Sequence, residues 1–141
     1  PRTLEFLETV GVTVLGWQHD DFPAFYTRSS GVAVPHRVDS SDEVAAIFEA
    51  RSRDRSGLLV SVPIPEADAL DEDILADVLA TALADADREG IVGAAVTPFV
   101  LGRIATATAG GSVPANLALA ENNARVAAEI AAAISRRSAY R

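Results

Sequence analysis

The sequence predicts an α/β domain built on buried parallel strands, and three observations carry the prediction. Two short runs, Val12-Thr13-Val14-Leu15-Gly16-Trp17 and Gly57-Leu58-Leu59-Val60-Ser61-Val62, are β-branched and nearly all apolar, as expected of strands covered on both faces. Segments with apolar residues at helical spacing alternate with them. The last third of the chain is dominated by Ala and Leu, opens on Ser112-Val113-Pro114 and has no later Gly or Pro, which predicts one long helix over about 113–137.

Taken in order, Pro1 to Thr9 carries Leu4 and Leu7 among polar residues and reads as the end of a helix closed by Gly11, ahead of the first strand. Gln18 to Arg37 follows as a long connection crowded with Phe22, Phe25, Tyr26, Arg28 and hydroxyl side chains, too aromatic for a disordered loop. Arg28 there can grip a phosphate or carboxylate or pair with a nearby acid. His19 and His36 lie in the same stretch, but adjacent Asp20 and Asp21 point apart and give no recognised metal spacing. Ser40 and Glu43 form a capping-box pattern at the head of a helix carrying Val44, Ile47 and Phe48 and running to about Asp54.

The second strand ends at Pro63-Ile64-Pro65, since two prolines cannot sit in a central strand. Segments after the carboxyl ends of parallel strands, here after Trp17 and Val62, are candidate pocket walls. Asp71 can cap a helix with Ile74, Leu75, Val78, Leu79 and Leu83 on one side and Gly90 beyond its end. Nine acidic residues fall between Glu66 and Glu89 and read as the solvated face of that helix. Thr97-Pro98 suggests another helix start, with Thr97 as N-cap, and Gly110-Gly111 a break before the final helix.

Asn is a poor helix former, so three in the final helix need a reason. Asn116 and Asn123 stand two turns apart on one face, with the small Ala120 and Ala127 between and beyond them. One reading makes this face the wall of a polar pocket with Asn116 as a hydrogen-bonding reader; the other leaves the amides in water or capping loops.

Composition bounds the rest. At 141 residues and 49% apolar the chain is a single globular domain with enough length for a core. It has no run near the roughly 20 apolar residues that span a bilayer. It has no Cys, which suits a cytoplasmic setting and removes thiolate chemistry. A net charge of −8 with scattered arginines argues against nucleic acid as partner, and Arg51, Arg53 and Arg55 read as a solvated helix end. There is no Met, so residue 1 is not a translation start, and no Lys, so the chain supplies no amine nucleophile.

Several stretches, in order, resemble one family: Arg2-Thr3-Leu4-Glu5-Phe6-Leu7-Glu8-Thr9, Phe22-Pro23-Ala24-Phe25-Tyr26-Thr27-Arg28, Arg37-Val38-Asp39-Ser40, Gly57-Leu58-Leu59-Val60 with Pro63-Ile64-Pro65-Glu66, Thr97-Pro98-Phe99, and Ala115-Asn116-Leu117-Ala118-Leu119 with Asn122-Asn123-Ala124. Together they resemble the pseudouridine-5′-phosphate glycosidases, which include the indigoidine-synthase-A-like proteins. The resemblance covers the chain and implies an α/β/α layered fold, a homotrimer and reversible cleavage of the C–C bond between ribose 5-phosphate and uracil. It also implies a lysine that opens the sugar as a Schiff base, a glutamate acting as general acid/base, and an aspartate holding a manganese ion (Mn2+).

The motif lysine, the glutamate and the metal-binding aspartate of that family lie before the position of Pro1. Residues 1–141 are therefore expected to be the carboxyl-terminal part of a single glycosidase domain, inactive alone, with neither a catalytic residue nor a metal ligand of its own. Only Asn116 carries over as a substrate contact. Two departures concern local loops: Val62 where the family often has Asn, and a shortened stretch from Arg51 to Ser56. Two other readings stand beside the enzyme: a non-catalytic sugar-phosphate-binding or assembly module, and a related C-glycosidase with another substrate.

Overall fold

The computed structural model describes residues 2–51 and 57–139. Its elements are α1 (Arg2–Thr9), β1 (Thr13–Trp17), β2 (His36–Val38), α2 (Ser41–Ala50), β3 (Leu58–Ser61), α3 (Glu72–Arg88), α4 (Val96–Ala107) and α5 (Ser112–Ala139). The three strands form a parallel sheet in the order β2-β1-β3. The predicted α/β class therefore holds, with a small sheet between α1 and the 18–35 connection on one face and α2 and α5 on the other.

The alternation along β1 explains both layers. Leu15 and Trp17 point to one face and pack with Val38, Val44 and Val126, all buried. Val14 and Gly16 point to the other. A Cβ at Gly16 would collide with the carbonyl of His19 and come within 2.6 Å of Val34 Cγ2, so only glycine lets the connection cross the sheet there.

A second core lies beyond the carboxyl ends of the strands, where Tyr26, Ile64, Leu75, Ala82, Val100, Ile104, Ala115 and Leu119 meet. α5 joins the two cores: Ala115 and Leu119 enter the second, Val126 and Ile130 the first. Its far end is fastened to α2 by Arg137 on Glu49 at 2.8 Å and Arg136 on Asp42 at 3.4 Å.

Several expectations need correction. β2 begins inside what the sequence reads as connection and ends one residue past it; three residues with two exposed are too few to show a strand pattern. α2 begins as predicted, Ser40 Oγ accepting from the Glu43 N–H at 3.3 Å, but Glu43 reaches back to the N–H of Asp39 rather than of Ser40, at 2.7 Å. It stops at Ala50, because Arg51 turns extended. The Arg53 and Arg55 of the proposed basic helix end, and most of the shortened 51–56 stretch, lie outside the described residues.

α3 is capped by Asp71 as expected, its carboxylate accepting from the Ile74 N–H at 3.0 Å. Its buried side is Leu75, Ala82 and Ala86, while Ile74, Leu79 and Leu83 are exposed; the alanines let α4 approach closely and leave the larger side chains on the flank. α4 starts at Val96, not after Thr97. The preceding turn, Gly93–Ala95, is already helical at Ala95 and feeds straight into it, so no side-chain cap forms. Pro98 sits in the first turn, where its missing N–H costs nothing. Among the described residues no helix is long and apolar enough to cross a membrane.

Candidate functional site at the carboxyl edge of the sheet

The strands deliver three chain segments to one edge: Gln18 after β1, Asp39 after β2, and Val62-Pro63 after β3. Gln18 adopts a left-handed backbone with φ 52° and spans the edge, donating its amide N–H to Val38 O at 2.8 Å and its side-chain Nε2 to Asp39 O at 3.1 Å. α5 closes the side at β3. Its half-buried Asn122 donates Nδ2 to Pro63 O at 3.1 Å, while its Oδ1 accepts from Arg125 at 2.8 Å. Parallel sheets place ligands at this edge, where loops are free to supply polar groups.

Alongside β3 runs a groove of about 630 Å³, walled by Leu58 to Val62 on one side and by Asn123, Ala127 and Ala131 of α5 on the other, with Phe22 and Pro23 at its head. The face of α5 that lines it continues upward through Ala120 to Asn116, about 10 Å beyond Asn123 along the helix axis. Asn116, Ala120 and Asn123 are exposed. The face picked out by the asparagine spacing is thus open and adjoins the carboxyl edge, but Asn116 itself does not line the groove as described; Asn123 does.

The other candidates separate cleanly. Tyr26 is buried in the second core, its ring edge-on to Phe25 at 4.7 Å, and its carbonyl accepts from the Leu70 N–H. Arg28 donates to Ile64 O at 2.7 Å, tying the aromatic connection to the exit of β3. Both act as fasteners. His36 is an exposed β2 residue, and His19 Nδ1 faces the backbone of Asp21 at 3.1–3.2 Å. Among the described residues no three His, Cys, Asp or Glu side chains converge as metal ligands. Sequence reasoning missed Gln18 and Asn122, whose roles depend on strand β2 and on which side of α5 meets Pro63.

A second hollow of about 350 Å³ lies between α3 and α4, with Asp77, Asp85 and Arg103 in its lining. Arg103 is already bonded to Glu89 at 3.1 Å, lies 3.6 Å from Asp85 and stacks on Phe99, so its charge is compensated, and Asp77 is an exposed surface carboxylate.

Fold and edge together define a parallel-sheet α/β domain whose polar groups gather at the strand exits, beside an open groove. The family is shown by direct matches: residues 1–133 fit the model of the indigoidine synthase A like proteins, and the chain belongs to that family. It is 47% identical over 140 residues to a pseudouridine-5′-phosphate glycosidase of Myxococcus xanthus, covering 98% of this chain and 46% of that protein. With a glycosidase of the same description from Nocardioides it shares 50% over 131 residues, covering 92% and 43%. The prealnumycin C-glycosynthase AlnA, crystallised with ribulose 5-phosphate, superposes with a TM-score of 0.89 at 40% identity, over 99% of this chain and 47% of that one. An indigoidine synthase A-like protein of Thermotoga maritima does so at 0.77 and 33%, over 94% and 44%. The chain thus spans a little under half the length of the relatives it matches.

Proposed function

We propose that the chain is the carboxyl-terminal portion of a pseudouridine-5′-phosphate glycosidase, which consumes water and reversibly releases uracil and ribose 5-phosphate. The observation that carries this is the match to glycosidases of that description at 47% identity along 98% of the chain.

The chemistry explains the division of labour. A carbon leaving group is hard to expel from a closed sugar ring, whereas an open-chain iminium supplies an electron sink that makes C–C cleavage accessible. The amine for that iminium must come from the remainder of the protein, because this chain has no lysine. The general acid/base glutamate and the aspartate for Mn2+ belong to that remainder in the same reading. This chain's part is to build the carboxyl edge and to present the Asn116 face of α5 to the substrate. A homotrimer in the cytoplasm completes the reading.

The likeness to a C-glycosynthase supports a second reading within the same chemistry, a related C-glycoside enzyme with a different base. One experiment addresses both. The portion of the Myxococcus xanthus glycosidase outside the match is joined ahead of Pro1, and the family-length protein and residues 1–141 alone are assayed against a panel of C-nucleotides. Release of uracil from pseudouridine 5′-phosphate by the family-length protein only is expected. Turnover by residues 1–141 alone, or cleavage confined to another C-nucleotide, contradicts the first reading.

A further inference from the structure

The pairing of β3 leaves one side of its backbone directed outward. Thr13 N donates to Gly57 O at 3.3 Å, so Gly57 faces β1. Along a strand, successive residues turn their N–H and C=O groups to opposite sides. Leu59 and Ser61 therefore face β1, and Leu58, Val60 and Val62 turn their peptide groups away from it. In the order β2-β1-β3 no described strand receives them.

Among the described residues that edge carries no charged or bulged position to protect it. β3 reads Leu-Leu-Val-Ser, without charge, proline or bulge, and Leu58, Leu59 and Val60 remain only half-buried. Beside it the 630 Å³ groove runs along about three turns of α5, apolar at Val126, Ala127, Ile130 and Ile134.

We propose that β3 is an interior strand of the family-length sheet and that a strand from the remainder of the polypeptide pairs with Leu58 and Val60, its flanking residues filling the groove against α5. The inference rests on the reading of the chain as part of a longer glycosidase. The occupant follows from length: the chain covers 46% of the Myxococcus xanthus relative, so more than half of such a protein lies outside it and must be covalently close by. A second copy pairing β3 with β3 would engage four residues on each side and leave the groove unfilled. Seating the remainder here would also bring it against Asn123 and below Asn116, placing the substrate at the seam between the two portions.

Residue-resolved amide exchange tests this, comparing residues 1–141 with the family-length fusion described above. Leu59 and Ser61, bonded to β1, provide the slow internal reference. The amides of Leu58 and Val60 are expected to exchange at least roughly 100-fold more slowly in the fusion than in residues 1–141. Equal, fast exchange in both proteins overturns the proposal. So does exchange in residues 1–141 that is as slow as in the fusion, and protection there that grows with protein concentration identifies a second copy as the occupant. Uracil release is read on the same fusion: protected amides without turnover leave the strand pairing standing and reject the glycosidase reading, and turnover with unprotected amides does the reverse.

Discussion

The two margins of the sheet are built on opposite principles. β2 is three residues long, exposes His36 and Arg37, and holds Arg37 in a fork between Asp39 at 2.8 Å and Asp20 at 2.9 Å. Hydrogen bonding to Asp39, then the contact with Asp20, raises the guanidinium above its already high ordinary value, against the opposing effect of desolvation. β3 offers four residues without a charge beside an apolar groove. Short, charged strands end sheets, while uniformly apolar ones belong inside them. A strand's composition thus records the neighbours it is built to have.

β1 is the strand both margins share, and Gly16 is paired to Arg37 on one side and Ser61 on the other. Gly16→Ala drives a methyl into the His19 carbonyl and Val34, and is expected to cost about 3 kcal/mol or more, read as a lowered urea midpoint. An unchanged midpoint means that the 18–35 connection does not lie on the sheet as described.

On the β3 side one side-chain amide ties α5 to the strand exit. Asn122→Ala leaves the carbonyl of Pro63 without its donor and is expected to cost about 1–2 kcal/mol, with faster amide exchange at Val62 as the local sign. On the β2 side, Ser40→Ala removes the cap of α2 and is expected to cost about 1 kcal/mol in thermal unfolding. The smallest energy belongs to the exposed fork. Arg37→Val is expected to leave the urea midpoint nearly unchanged yet promote concentration-dependent association in sedimentation, because it strips charge from the β2 margin.

What the sequence made legible follows the same division. Apolar runs announced β1 and β3, and local caps announced α2 and α3, because burial on both faces and a side chain three residues from its target leave marks within a few positions. β2 left none: its pairing partner is Leu15 to Trp17, some twenty residues away, and only Val38 is buried. The stripe on α3 misled because Ala82 and Ala86, not the leucines, set how closely α4 packs. At the site, Asn116 and Asn123 share an exposed face of α5, as their spacing places them, while the bonds of Gln18 and Asn122 depend on which carbonyls the fold brings to them, and no spacing encodes that. Arg28 and Tyr26, ambiguous as residues, are tied within this portion of the fold by Ile64 O and Leu70 N.

Once the remainder of the protein is in place, the Asn116 face of α5 is proposed to touch substrate. The direct measurement is kcat/KM for pseudouridine 5′-phosphate in the family-length fusion with Asn116 or Asn116→Ala. Asn116 is exposed here, so its replacement leaves the fold of this portion intact. A loss of about tenfold is expected, the worth of one neutral hydrogen bond at about 1.4 kcal/mol, with an unchanged melting temperature. An unaltered kcat/KM in the variant contradicts it.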